Sequence, residues 1–429
     1  MLDWESIFKE AVSQKEYSKR KLEKLIQERN SLEKEWAIYA VFDYIAHFSP
    51  SSEEIEFLKE NIIECEEFYQ RQAELRNCHF GYPANLFSHS KIYELISNIE
   101  SRGYLANNCG DTYEQGYYQM DSKKIEQSIL AIFAKKLGIR HNFWGYITSG
   151  GSESNAWGIE NGFRYYPEGI LYFCEAAHYS VYKDAQYHKN IVISQKAPNN
   201  ESIDVKQLIE KIQYNNAPAI IILTWGTTKY GSCDDIADIV AQLREKSLPF
   251  YIHVDAALYG GIPNNQKNAP IIENVEKLGI HSISISLHKY IGMPSVRSIL
   301  LAFEKPLCNS VEYIGQTDTT TSGSRCILPF TTRQQLYDIL MFSKENEYSD
   351  KVSFFESLLK EHNIPFDRSS KGNIFVIDKP SENLCNKYQL STFSINIDGH
   401  TVDKAHVIIF PYHSYESMKM FIVDISEEM

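Results

Sequence analysis

His281-Ser-Ile-Ser-Ile-Ser-Leu-His-Lys289 is an apolar stretch that closes on a lysine. A lysine just beyond a buried strand tends to lose its proton, because desolvation disfavours the ammonium form. Its free amine is then a nucleophile suited to Schiff-base chemistry. Other short runs of β-branched and aromatic residues flank it: Trp144-Gly-Tyr-Ile147, Ile170 to Cys174, Ile191 to Ile193, Ile220 to Leu223, Phe250 to Val254 and Ile299 to Phe303. With Ile283-Ser-Ile285 they predict strands. Helical stretches lie between them, so the expected fold class is α/β, with a mostly parallel sheet covered on both faces. Ligands of such sheets bind beyond the carboxyl ends of the strands, where Lys289 falls.

The chain has 429 residues, 43% hydrophobic and 23% charged, which is ordinary globular composition for two or three structural units. A formal net charge of -13 argues against nucleic acid and against an anionic membrane as partners, since both demand a basic surface. Met1-Leu-Asp-Trp-Glu5 lacks the pattern of a secretory leader, and no window reaches the ~18 consecutive apolar residues of a spanning helix. A soluble, cytoplasmic protein is expected. The eight cysteines contain no C-x-x-C pair, so neither a zinc site nor a disulfide framework is signalled.

Three regions are expected. Residues 1–65 read as an antiparallel helical pair, from the spacing of Leu22, Leu25, Ile26, Leu32 and Trp36 and from a capping box at Ser51-x-x-Glu54. Residues 66–329 hold the sheet. Residues 330–429 form a small α+β unit: a helical stretch through Phe342, strands at Ile374–Ile377 and His406–Phe410, and a closing helix from Ser414 to Ile425.

Several segments at strand ends carry chemistry. Thr148-Ser-Gly-Gly-Ser-Glu-Ser-Asn155 stands between a strand and a helix, where backbone amides and the Ser152 hydroxyl form an anion cradle; any strand-to-helix turn also favours such residues. Asp255, followed by small Ala256 and Ala257, is placed to pair with a pyridinium nitrogen, which makes pyridoxal phosphate (PLP) an electron sink. A capping or metal-binding aspartate is the alternative. His178 is a flat ring able to stack on a cofactor, or a surface hydrogen-bonding residue. Gly226-Thr227-Thr228 brings small and hydroxyl groups to the same rim, and Ser286 and His288 flank the lysine motif.

In this order the segments resemble the PLP-dependent group II amino acid decarboxylases, and most closely the bacterial histidine decarboxylases and plant serine decarboxylases. The similarity runs over about residues 79 to 429: Gly81-Tyr82-Pro83, Asn107-Asn-Cys-Gly-Asp111, Phe143-Trp-Gly-Tyr146, Glu175-Ala-Ala-His-Tyr-Ser180, Gly226-Thr-Thr228, Asp255-Ala-Ala-Leu258, the lysine motif, Glu312-Tyr-Ile-Gly-Gln-Thr-Asp318, Gly323-Ser-Arg325 and Ala405-His-Val407. The resemblance implies PLP-dependent transferase fold type I, with a seven-stranded sheet, and a homodimer with shared sites. It also implies decarboxylation of an L-amino acid, histidine first, with serine or another amino acid as the alternative. A fold type I transaminase or cysteine desulfurase is a further reading, and a catalytically silent binding module is one of another class.

The resemblance assigns catalysis to Lys289, which joins PLP covalently, Asp255, which binds the pyridine nitrogen, and His178, which stacks on the ring. Ser152, Ser286 and His288 serve the phosphate, and Gly151, Glu153, Thr227 and Ala257 complete the cofactor-binding set. Tyr82, Pro83, Asn108 and Ser322 fall on the substrate side, and the loop Thr317 to Arg325 reaches a neighbouring subunit's site. No metal is expected. Leu287 stands where the family usually has glycine and is expected to add bulk beside the phosphate, and Arg297 adds a charge at the sheet end.

Overall fold

The computed structural model describes residues 51, 53, 67–68, 70–72, 74–86, 107–114, 121–140, 142–293, 296–303, 310–313, 316–319, 325–326, 347–397 and 399–428. The chain divides into two compact units, Met1–Asn77 and Cys78–Met429. Apart from Ser51 and Glu53, the helical pair expected over residues 1–65 lies outside the described residues, as does the helical stretch through Phe342.

In chain order the second unit begins with β1 (Asn107–Asn108), α1 (Lys123–Lys136), β2 (Trp144–Thr148), α2 (Gly151–Tyr165), β3 (Ile170–Cys174), α3 (Tyr179–Ala185) and β4 (Asn190–Ile193). A hairpin, β5 (Gln195–Ala197) and β6 (Asn200–Ile203), leads to α4 (Val205–Asn215), β7 (Ala219–Thr224), α5 (Ile236–Glu245), β8 (Phe250–Asp255), α6 (Val275–Leu278), β9 (Ser282–Ser286) and β10 (Ser298–Ala302). Seven strands make one sheet in the order β2-β10-β9-β8-β7-β3-β4. β10 is antiparallel to both its neighbours, and the other pairings are parallel. This is the mixed, mostly parallel α/β sheet expected.

Local sequence explains the helices that return the chain. Asp204 and Asp235 cap α4 and α5, their carboxylates accepting the amides of Gln207 and Asp238, and Asn216 ends α4 in the left-handed conformation at φ 48°. Strands β3 and β7 are buried at every position, as both-face coverage requires. One face packs under α1, α4 and α5 through Phe133, Leu208, Ile239, Ile221, Ile252 and Ile283.

The face under α2 is different. Alternation along β8 and β9 sends Tyr251, His253 and Asp255, and Ser282, Ser284 and Ser286, toward that helix. All six are buried. α2 approaches closely because it carries glycines there: a Cβ on Gly158 falls 2.4 Å from the His253 ring, and one on Gly162 falls 2.5 Å from Ile220.

The remaining strands are β11 (Ser310–Tyr313) paired with β12 (Gln316–Thr319), and β13 (Arg325–Cys326) paired with β1. The C-terminal portion contains α7 (Glu347–Glu361), β14 (Phe366–Asp367), β15 (Ile374–Asp378), α8 (Glu382–Lys387), β16 (Ser391–Ile397), β17 (His400–Ile408) and α9 (Tyr415–Glu428). Its four strands form an antiparallel sheet in the order β14-β15-β17-β16, packed through Phe355, Phe375, Val407 and Phe421. β16 escapes the reading by apolar runs because it is an edge strand, polar or half-exposed along most of its length. Among the described residues no helix is long and apolar enough to cross a membrane.

Candidate active site

The register of the sheet gathers the foreseen residues at its carboxyl end. Asp255 is the last residue of β8, opposite Thr224 of β7 and Ser284 of β9. Lys289 follows β9 by three residues, His178 follows β3 and caps α3, and Gly151 opens α2 directly after β2. Asp255 is buried, and its carboxylate accepts the Ala257 amide at 3.0 Å and the Asn155 side-chain amide at 2.7 Å.

Asn155, the last residue of the Thr148–Asn155 segment, has no role apparent from sequence alone. Its Nδ2 donates both to Asp255 and to the Ser180 hydroxyl, 3.1 Å away. That hydroxyl lies 2.9 Å from His178 Nδ1, which also accepts the Ser180 backbone amide. One buried carboxamide therefore ties the aspartate to the imidazole. The signal was present as an i, i+4 spacing, which places Gly151 and Asn155 on one face of α2.

The three charged or basic groups are within electrostatic reach of one another. Burial pushes the Lys289 amine below its ordinary pKa, and the nearby Asp255 charge opposes that shift. Burial likewise lowers the His178 imidazole; Asp255 raises it and Lys289 lowers it. His288 is pushed down to about 4, first by burial and then by the Lys289 charge, while its Nδ1 lies 3.4 Å from the Arg297 carbonyl. Both imidazoles are thus held neutral in the neutral pH range.

Hydroxyls and free amides surround Gly151. A Cβ there meets Ser286 Oγ at 3.3 Å, Ser298 Oγ at 3.8 Å and Ala257 Cβ at 4.0 Å, and the two serine hydroxyls are 3.0 Å apart. The N-cap of α2 is Gly150, which brings no capping side chain to the first-turn amides. Ser152 is exposed on that turn. Glu153 spends its carboxylate on the turn itself, accepting from the Ser149 amide at 2.7 Å, the Ser149 hydroxyl at 2.6 Å and the Tyr146 hydroxyl at 3.0 Å. Thr227 is buried, its hydroxyl accepting the Ser232 amide at 2.9 Å. An amine, a buried carboxylate, a flat neutral ring and an amide-rich anion cradle fit a phosphorylated pyridine aldehyde.

Among the residues foreseen for the substrate, Tyr82 and Pro83 belong to a strap fixed at both ends. Asn85 donates its backbone amide to the Lys289 carbonyl and its side chain to the Tyr290 carbonyl, both at 2.8 Å. Gly81 lies so close to β16 that a Cβ falls 2.1 Å from the Gln389 carbonyl, and its own carbonyl accepts from Ser391 at 3.0 Å. Tyr82 between them is 52% exposed, so its ring is available to a ligand. Asn108 is buried, and its side chain is engaged with Glu126 at 2.8 Å and with the Ser122 amide and hydroxyl at 2.8 and 2.9 Å. Its backbone pairs with Arg325. Ser322 lies outside the described residues.

The model of the pyridoxal-dependent decarboxylase conserved domain matches residues 165–334. Serine decarboxylase 2 of Oryza sativa subsp. japonica is 31% identical over 363 residues, spanning 82% of this chain and 74% of that protein. The chain belongs to the pyridoxal-dependent decarboxylase family. Histidine decarboxylase of Pseudomonas entomophila is 30% identical over 82% of this chain and 87% of its own length. The solved L-methionine decarboxylase from Streptomyces sp.590 superposes with a TM-score of 0.72 over 86% of this chain and 95% of its own, at 18% identity, a likeness in fold. This protein is thus a PLP-dependent amino acid decarboxylase of fold type I.

One expectation is corrected. Leu287 adds no bulk beside the phosphate: alternation along β9 turns it away from Ser286, and it is fully buried in the core shared with Ile285, Ile291 and Met293. Leu287→Ala is accordingly expected to cost about 2–5 kcal/mol of stability, as buried leucine truncations do. In chemical denaturation the variant should unfold earlier, while its PLP dissociation constant stays within about twofold of the parent because no contact to the cofactor side is lost.

Proposed function

We propose that Lys289, Asp255 and His178 are the catalytic residues of a decarboxylase that converts L-histidine to histamine and carbon dioxide. Bound PLP supplies the electron sink for the pair left when carbon dioxide departs. Lys289 holds it covalently through Nζ, for which a burial-depressed pKa is the enabling property. Asp255 pairs with the pyridine nitrogen, and Ala257, whose amide is bound to that same carboxylate, leaves room for a flat ring. His178, neutral and fixed by Ser180, offers its face to the ring.

The Ser286 hydroxyl and the amides at the start of α2, near Gly151 and Ser152, bind phosphate. His288 stands beside the phosphate with its Nδ1 proton turned to the Arg297 carbonyl, and Thr227 and Glu153 shape the rim. Tyr82 and Pro83 border the substrate, and either the Lys289 amine or the Tyr82 hydroxyl returns the proton to the product carbon. The observation that carries this reading is that one Asn155 amide bonds Asp255 directly and, through the Ser180 hydroxyl, is joined to His178, within the electrostatic reach of Lys289.

Histidine is favoured because the chain spans 87% of the Pseudomonas histidine decarboxylase against 74% of the rice serine decarboxylase. The 31% identity to the latter supports L-serine as the second reading. The test is a panel of L-amino acids scored by amine product. Histamine from L-histidine, at a kcat/KM at least ~10-fold above the next substrate, is the expected result. Ethanolamine from L-serine as the main product would replace the first reading by the second. A homodimer with shared sites is proposed on the family resemblance, and light scattering at twice the chain mass is its check.

A further inference from the structure

Behind Asp255, on the side away from the cofactor, a line of buried polar side chains runs the length of the sheet under α2. The Asn155 carbonyl lies 3.3 Å from His253 Nε2 and accepts from the Ser284 hydroxyl at the same distance. His253 Nδ1 is 2.8 Å from the Ser282 hydroxyl, which is 2.8 Å from the Tyr251 hydroxyl. That hydroxyl accepts from the Asn161 amide at 3.0 Å.

Donor and acceptor chemistry sets the direction of the line. A carboxylate only accepts, so Asn155 turns its NH2 toward Asp255 and its carbonyl toward His253. That carbonyl only accepts, so His253 carries its proton on Nε2 and leaves Nδ1 to accept from Ser282. Ser282 must then accept from Tyr251, and Tyr251 from Asn161. Each proton in the line points toward Asp255. His253 is entirely buried, its pKa is pushed down to about 4 by burial, and Gly158 is the only residue type that leaves space for its ring against α2.

We propose that His253 is a positioning residue for the decarboxylation: through the Asn155 carboxamide it fixes the Asp255 carboxylate in the orientation that the PLP pyridine nitrogen requires, and Ser282, Tyr251 and Asn161 fix His253 in its turn. This rests on the reading of Asp255 as the partner of that nitrogen. Losing the imidazole leaves the Asn155 carbonyl with the Ser284 hydroxyl alone, so the carboxamide holds the Asp255 carboxylate less tightly beside the Ala257 amide.

The test compares His253→Phe, His253→Gln and Asp255→Ala with the parent, each prepared free of cofactor and reloaded with PLP. Glutamine restores both functions, with its carbonyl accepting from Ser282 and its NH2 donating to Asn155, whereas phenylalanine keeps only the shape. His253→Phe is expected to lower kcat about 10-fold with KM within about twofold, to weaken PLP binding several-fold in a fluorescence titration, and to move the pH at which the bound cofactor's visible band titrates. His253→Gln should lie within about threefold of the parent on every readout.

A lowered melting temperature in His253→Phe, with the visible band, its pH midpoint and kcat unchanged, would show a packing role only and overturn the proposal. His253→Gln behaving like His253→Phe would overturn it as well. If His253→Phe does not fold, Ser282→Ala decides, because it removes the bond that holds His253 Nδ1 with little change in packing: an unmoved visible band and kcat reject the proposal, and shifts like those expected of His253→Phe support it. Asp255→Ala separates the two levels. An unaltered pH midpoint in that variant removes the underlying reading of Asp255, whereas a change there without one in His253→Phe removes this inference alone.

Discussion

Replacing Lys289 by alanine is expected to lower kcat/KM by roughly 10³-fold or more, a loss of about 4 kcal/mol of transition-state stabilisation. On the proposed reading the amine is the nucleophile of the site, and burial moves it toward its reactive neutral form against the opposing pull of Asp255. Lys289→Arg should be as damaging as alanine. A guanidinium keeps the positive charge and much of the length but does not deprotonate, so it supplies electrostatics without a nucleophile. Substantial activity in Lys289→Arg would reduce the lysine to a charge and remove the covalent role. Borohydride reduction of the PLP-loaded parent followed by peptide mapping should place the label on Lys289, and the same treatment should leave either variant unlabelled.

Most of the sheet was legible in the sequence because its central strands β3 and β7 are buried on both faces and therefore appear as short apolar runs. Ile170–Cys174 is recovered residue for residue, and Ile220 to Leu223 within one residue at each end. The same logic fails for β16, where an edge strand need not be apolar, and for Leu287, whose bulk was judged by its neighbours in sequence when alternation decides which side it meets. The placement of Lys289, Asp255 and His178 at the carboxyl end of the sheet was legible because each follows or closes an apolar run. Asn155 and His253 were not, since neither is distinctive alone. Their meaning lies in a helix face and a strand face that meet only in three dimensions, with Gly158 permitting the approach. Asn108 shows the converse: its motif was noticed, and its side chain is spent on Glu126 and Ser122.

Asp255→Ala is expected to lower kcat about 10²- to 10⁴-fold, because in the proposed site the cofactor then loses the carboxylate that keeps its ring nitrogen protonated. Asp255→Asn should fare little better. It preserves volume and can still accept from Asn155, so a comparable loss in both variants assigns the effect to charge and not to shape. The pH behaviour carries a definite sign. In the parent the Asp255 charge raises the pKa values of Lys289 and His178, while burial lowers both. With the carboxylate gone the burial effect stands unopposed, so the Lys289 amine becomes still easier to deprotonate. In cofactor-free protein, peptide-resolved labelling of Lys289 by an amine reagent should therefore reach half its maximal rate at a lower pH in Asp255→Ala than in the parent. A midpoint that rises or stays fixed would mean that Asp255 and Lys289 do not sense each other, and the electrostatic unity of the site would be lost with it.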